Sequence, residues 1–410
     1  MNSPDQYQVK KWKIDRGARP LITCAAPLFF WDIATGNVQG IAAELKVSGD
    51  SEIGSFVLQW IKRLRYTLIF LALFFLWVVI RPEPAEQIYQ LNGATMGTQY
   101  QILVAGFPDG LSDNELADAI AQRLYRLDRE LMSTYAPDSE LSRFNSSEPG
   151  AWVSVSPELA LVIERALYFN QLTGGAFDVT VGPLVNRWGF GPLIGQRVDQ
   201  SRIPSDSEIA ELLQLTGSHR LEVSLSPPQV RKSAQVYVDL SGIAKGYAAD
   251  VLADYFDSLN MPSYFIEIGG ELRIKGLKPD GSGWIPAIEK PLDSPEPEVY
   301  QIFYSQGRTL AVAGSGDYRN YFEEDGVRYS HEIDPSTGRP VSHSLAAVTV
   351  IAPTAMEADA LATAFMVMGE HKSYDLAQSM GLAVYLISKH PEQDGFTERF
   401  TPAFEAYLEQ

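Results

Sequence analysis

The amino-acid sequence predicts an α+β (mixed α/β) body preceded by one N-terminal transmembrane helix. Three observations lead there. From Ile88 to Ile387, short strand patterns and longer helical stripes are mixed without strict alternation, the mark of a mixed body. Glycine-rich turns stand repeatedly at the strand ends. Tyr66 to Ile80, YTLIFLALFFLWVVI, is a fifteen-residue run without a charge.

Residues 1–56 form a tail of unknown role, apolar in places (LITCAAPLFFWDI) but without clear period or caps. It reads as a cytoplasmic tail or an over-extended gene start, since no methionine occurs between Met1 and Met96. The single cysteine, Cys24, rules out an intrachain disulfide. It follows Leu21-Ile22-Thr23, a faint echo of a lipoprotein cleavage box, but no long apolar run precedes it. Residues 57–81 supply a basic flank (Lys62, Arg63, Arg65) and the apolar run. The run is short of the roughly 20 residues a span wants, and Trp60, Ile61 and Leu64 extend it while the basic side chains snorkel. Arg81-Pro82-Glu83-Pro84 follows with no small-x-small cleavage site. An uncleaved anchor is therefore expected rather than a signal peptide. The positive-inside rule places the body outside, in the periplasm of a bacterial inner membrane. Residues 82–88 are a Pro/Glu-rich linker, and 89–410 the body.

In the body, Ile88 to Ala105 alternates as two strands joined at the Gly93–Gly97 turn. Leu116, Ile120, Leu124, Leu127 and Leu131 make a helical stripe over 113–132 behind a Ser112/Asp113 cap. Pro157 to Leu172 is a helix capped by Ser156 with proline at its first position, and 205–215 a shorter one. Val236–Leu240 reads as a strand and Lys245–Leu259 as a helix. Strands are expected at Tyr264–Ile268, Glu271–Lys275, Ala287–Ile288, Gln301–Tyr304, Leu310–Ala313, Ala346–Ile351 and Ala383–Ile387, and a helix at Ala355–Met368.

Net charge is −18: residues 1–81 balance at +4 and the remainder at −22. Such a body repels nucleic acid and anionic lipid surfaces. An anionic ligand would need a local device, a metal ion or helix N-termini. Four glycine turns, in GGAFDVTVGPLVNRWGFGP (174–192), VDLSGIAKGYAAD (238–250), IEIGGELRIKG (266–276) and AGSGDYRNYF (313–322), suit a cleft for a nucleotide-sized ligand. Each alone is also an ordinary strand–turn–helix. His331 abuts the turn-dense Asp334-Pro335-Ser336-Thr337-Gly338, a setting the other four histidines lack, although a lone histidine is more often structural than catalytic. Asp359 and Thr363 stand at i and i+4, so their oxygens share a helix face and can hold a hard cation such as Mg²⁺. The alternative is a threonine bonded back to its own helix and an aspartate capping a neighbour.

Taken together with Met96-Gly97-Thr98, MSTYAPDSELSRFN (132–145), YSHEIDPSTGRP (329–340) and MEADALATAFMVMG (356–369), these motifs resemble the ApbE-type FAD:protein FMN transferases, from about Tyr89 to Ile387. The resemblance implies that Met96, Tyr135, Ala176, Phe177, Asp178, Asp239, Lys245 and Ile333 lie along FAD. It implies a magnesium site from the Gly242 carbonyl, Asp359 and Thr363, with His331 as catalytic base. Many members are lipoproteins, whereas here an uncleaved helix would replace the lipid. The implied reaction is Mg²⁺-dependent transfer of FMN from FAD to a threonine of an acceptor protein, releasing AMP. Acceptors would carry a Ser/Thr-Gly-Ala/Ser-Thr-like segment and belong to sodium-pumping or related membrane redox complexes. Two other readings stay open: an FAD pyrophosphatase giving FMN and AMP, and a non-enzymatic FAD-binding surface protein.

Overall fold

The structure is a computed structural model that describes residues 10–12, 60, 64–67, 69–76, 88–108, 110–191, 203–294, 296–390 and 392–409. The chain divides into two compact units, Ile14–Ala85 and the remainder. In the smaller unit, residues 64–67 and 69–76 are helical, and Ile69, Phe70, Leu71, Phe74 and Phe75 are exposed. The other positions of the expected anchor, most of the tail and the linker up to residue 87 lie outside the described residues. Among the described residues no helix is long and apolar enough to cross a membrane.

The larger unit is built on a nine-stranded sheet: β1 (Lys10–Trp12), β2 (Ile88–Thr95), β3 (Thr98–Ala105), β4 (Ser263–Ile268), β5 (Glu271–Lys275), β6 (Leu310–Gly316), β7 (Leu345–Ala352), β8 (Ala383–Lys389) and β9 (Phe396–Phe400). The strands lie side by side in chain order. Every pairing is antiparallel. No parallel crossover is needed, so helices enter as insertions between neighbouring strands. Helices α1 (Asp113–Tyr125), α2 (Pro157–Leu172) and α3 (Ala244–Ser258) fall between β3 and β4; α4 (Ala355–Met368) and α5 (Glu370–Met380) fall between β7 and β8.

Both faces of the sheet are covered, which is why its central strands read as nearly continuous apolar runs. Along β6, Ala311 and Ala313 face the helices, while Leu310 and Val312 face a second core with Trp284, Phe303 and Phe404. The first core joins Ile102, Ile266 and Val350 to Ile120, Ile163, Phe256 and Phe365. Burial of each large apolar side chain contributes about 1.5–3 kcal/mol before entropy is counted. A third cluster, Leu184, Trp188, Ile209, Phe322 and Ile333, lies apart from both.

The capping signals at Ser112 and Ser156 were sound. Ser112 and Glu115 form a reciprocal capping box, Ser156 caps α2 ahead of Pro157, and the Thr354 hydroxyl accepts from Glu357 N–H. The stripe over 113–132 is α-helical to Tyr125 and continues as a π-type turn, Arg126–Met132. The turn expected at Gly93–Gly97 is confined to Met96-Gly97, with Gly93 paired inside β2, and the strand expected at Val236–Leu240 joins no sheet. Its backbone is satisfied from elsewhere. The Asn145 amide donates to the Val238 carbonyl and accepts from Val238 N–H, both at 2.8 Å, and Asp239 N–H donates to the Val179 carbonyl. A buried segment needs its peptide groups paired, and here a side chain does the pairing. The strand expected at Gln301–Tyr304 lies two residues earlier, Val299–Ile302, paired with Ala287–Glu289.

Candidate active site

Helices α3 and α4 meet where Gly246 faces the first turn of α4. A Cβ at Gly246 would lie 2.2 Å from the Ala355 carbonyl oxygen and 2.8 Å from Asp359 Cβ. Only glycine allows that approach. The approach lets Gly246 N–H donate to Asp359 Oδ2 at 3.0 Å. The Asp250 carboxylate, one turn along α3, accepts from Ala355 and Met356 N–H at 2.9 Å each and so caps α4. The pair of helices thereby holds Asp359 and Thr363 at the floor of a cleft of about 1070 Å³.

The remaining walls come from the glycine turns. The turn at Gly269-Gly270, both left-handed, closes β4 on β5 and leads into Glu271. The end of β6, Ala313 to Gly316, forms another wall. His331 is delivered by the hairpin Tyr321–Glu324/Val327–Ser330. Its turn, Asp325-Gly326, has positive φ at both residues, the type I′ geometry favoured in two-residue hairpins.

Every expected site residue lines this cleft except Met96. Met96 forms the β2–β3 turn at φ 49° and donates its N–H to Asp128 Oδ2. Tyr135 is largely exposed at the cleft edge; partial desolvation and the nearby Asp239 raise its pKa. Ala176, Phe177 and Asp178 come together on one wall. The Asp178 carboxylate is occupied internally, accepting from Thr180 N–H, the Thr180 hydroxyl and the Ser218 hydroxyl. Asp239 accepts from Ser241 N–H and hydroxyl. Ile333 is shared between the cleft and the third apolar cluster.

Lys245 Nζ lies 3.1 Å from Glu271 Oε1 and 3.7 Å from Asp359 Oδ1. Burial alone would lower the ammonium, but the charges of Asp359 and Glu271 outweigh it and hold it above its ordinary value. Glu271 and Asp359, each 2% exposed, are both pushed up by burial against the pull of Lys245, Glu271 to about 8. One ammonium serves two desolvated carboxylates. Among the described residues Glu271 Oε2 is buried with no hydrogen-bond partner.

His331 Nδ1 lies 3.1 Å from the Asn320 carbonyl oxygen. A carbonyl only accepts, so Nδ1 carries the proton, and in the neutral ring Nε2 is left with its lone pair free. A neutral imidazole held this way is a base with a defined accepting atom.

The oxygens around Gly242 suit a hard divalent cation. A Cβ on Gly242 would lie 3.0 Å from Thr363 Oγ1, so carbonyl and hydroxyl belong to one locality, and Asp359 stands one turn before Thr363. Among the described residues no group of three or more His, Cys, Asp or Glu could hold a metal ion. An ion here would depend on carbonyl, hydroxyl, water and substrate oxygens beside one carboxylate, the manner of Mg²⁺. Carboxylates also dominate the lining: Asp178, Asp239, Glu267, Glu271, Glu289, Glu298, Glu332 and Asp359 against Lys245 and Arg319. Lys245 is already paired, so a pyrophosphate entering this cleft needs added positive charge.

Sequence reasoning passed over Glu271 and Glu332, although each sits inside a motif it had marked. The hairpin that carries His331 was signalled by Asp325-Gly326.

Comparison with known proteins is consistent with this site. The chain matches the ApbE family over residues 96–386. A FAD:protein FMN transferase of Vibrio cholerae is 45% identical over 329 residues, covering 80% of this chain and 94% of that protein. One from Escherichia coli is 40% identical over 351 residues, covering 84% and 97%. The solved flavin transferase ApbE from Vibrio cholerae matches with a TM-score of 0.70 at 42% identity, covering 79% of this chain and 100% of that one. The apo flavinyl transferase ApbE of Pseudomonas stutzeri also gives 0.70, at 37% identity over 79% and 97%. Its sheet, its cleft and these matches place the chain in the ApbE family.

Proposed function

We propose that this protein transfers FMN from FAD to a threonine side chain of an acceptor protein and releases AMP. The observation that carries the reading is His331. Its Nδ1 proton is committed to the Asn320 carbonyl and its Nε2 is free, at the wall of a cleft with room for a dinucleotide. The acceptor hydroxyl gives its proton to Nε2, and its oxygen forms a bond to the FMN-side phosphorus. The pyrophosphate P–O bond to the AMP phosphate breaks, and AMP leaves with the electron pair. Mg²⁺ held by the Gly242 carbonyl, Asp359 and Thr363 would supply the neutralisation of the phosphate oxygens. Asp359 is prepared for such a role by the Gly246 N–H, which fixes one of its oxygens. Tyr135, Ala176, Phe177, Asp239, Lys245 and Ile333 line the space FAD would occupy.

The apolar, exposed helix in the smaller unit supports an inner-membrane anchor with the body in the periplasm. That reading requires Lys10–Trp12 to leave the edge of β2, because a single span separates the tail from the body. Acceptors would then be subunits of membrane redox complexes presenting a Ser/Thr-Gly-Ala/Ser-Thr-like segment.

The fate of FMN tests the reading. Incubation with FAD, Mg²⁺ and an acceptor should yield AMP and phosphoester-linked FMN on the acceptor threonine. Free FMN with unmodified acceptor would make the protein a pyrophosphatase, and intact FAD would make it a binding protein.

A further inference from the structure

Beside His331 stands a carboxylate that the reaction as written does not use. Glu332 is 7% exposed and lines the cleft. Its backbone is pinned on both sides: its N–H donates to the Ser330 hydroxyl, and its carbonyl accepts from Val341 N–H at 2.9 Å. Its Oε1 lies 3.6 Å from His331 Nε2. Among the described residues no other cationic group comes within ion-pair distance of this carboxylate, and its side chain makes no hydrogen bond there. A buried carboxylate in a native fold normally has a hydrogen-bonded or ionic partner. Here the partner at hand is the His331 imidazole.

We infer that Glu332 is a positioning residue for FMN transfer, acting through His331 by stabilising the imidazolium formed when Nε2 takes the acceptor proton. The inference rests on the reading of His331 as base. While the ring is unprotonated the carboxylate gains little from it. Once the proton arrives, the imidazolium, 34% exposed, stands beside a carboxylate only 9% exposed, where their attraction exceeds that of a fully solvated pair. The Asn320 carbonyl holds the ring from Nδ1, and Glu332 meets the charge that develops at Nε2. Burial raises the Glu332 carboxyl pKa, and a positive His331 and Lys245 oppose that rise while Asp317 and Asp359 add to it. An undersolvated carboxylate of this kind gains most from a new cation.

The test is a double-mutant cycle on single-turnover transfer from bound FAD to an acceptor, with FAD affinity and thermal midpoint measured on each variant. Glu332→Gln keeps the size and removes the charge. It should slow transfer roughly 10- to 100-fold, the usual cost of losing a partner that tunes a functional side chain, with FAD affinity unchanged. Glu332→Asp should recover part of the rate. In a His331→Ala background, Glu332→Gln should cost little or nothing more, because its target is gone. Equal slowing by Glu332→Gln in both backgrounds, or a wild-type rate in folded Glu332→Gln, would overturn the inference. A wild-type rate in His331→Ala would instead remove the base itself, so the two failures are distinguishable.

Discussion

Replacing Gly246 by alanine puts the architecture of the site to a sharp test. Two effects oppose each other. Alanine in a helix interior is favoured over glycine by about 1 kcal/mol. The added methyl, however, would stand 2.2 Å from the Ala355 carbonyl oxygen, 2.5 Å from its carbon and 2.8 Å from Asp359 Cβ. None of these is the far end of a flexible side chain, so α3 and α4 must separate. Overpacking of this kind costs about 1–3 kcal/mol, and contact with backbone on a buried helix pair puts it at the upper end. The net expectation is a loss of about 1–2 kcal/mol, a fall of roughly 2–6 °C in thermal midpoint. Separation also draws the Gly246 N–H away from Asp359 Oδ2, so Mg²⁺ affinity should weaken more than the stability change alone explains. Differential scanning calorimetry and metal titration on one preparation read both effects. A midpoint equal to or above wild type would show that the helices part freely, and the close-approach argument would fail.

Other outcomes follow from the same geometry. Asp359→Ala should fold, yet lose Mg²⁺ binding and metal-dependent transfer, whereas Thr363→Ala should be milder because water can replace a neutral hydroxyl; unchanged Mg²⁺ titration of Asp359→Ala would remove the assignment. Residues 85–410 alone should be soluble and transfer FMN in solution, since among the described residues none before β2 lines the cleft; a folded but inactive truncation would give the N-terminal segment a part in the site. Glu208 is held down to about 2, chiefly by the Arg187 guanidinium and then by Ser205 N–H. A depressed carboxylate stabilises above its unfolded pKa and loses that contribution as pH falls through its folded one. The stability gap between wild type and Glu208→Gln should therefore be constant at neutral pH and close between roughly pH 4.5 and 2; a gap that stays constant down to pH 2 would contradict the pairing.

Much of the fold could be read from local chemistry. Ser112 and Ser156-Pro157 marked their helices because capping is decided within four residues. The strands of β6, β7 and β8 showed as apolar runs because both their faces are buried. Val236–Leu240 misled because its pattern is that of a strand, while its pairing partner is the side chain of Asn145, distant in sequence. In the site, Asp359 and Thr363 could be paired from helical spacing. The internal use of Asp178 by Thr180 and Ser218 could not, since it depends on a contact forty residues away. Glu271 and Glu332 were invisible as functional candidates for a related reason. A carboxylate's importance here comes from burial beside Lys245 or His331, and neither burial nor proximity is written in the motif that contains it.

The most direct test of the account isolates the proton transfer. Wild-type protein and His331→Ala are each loaded with FAD and Mg²⁺, FAD affinity and thermal midpoint are recorded, and transfer to an acceptor threonine is followed in a single turnover. Because Nδ1 is tied to Asn320 and only Nε2 serves the reaction, FAD should bind both proteins nearly alike. Transfer should fall roughly 10²–10⁴-fold in the variant, the usual contribution of a positioned general base. A stable His331→Ala protein that transfers FMN at the wild-type rate would contradict the account.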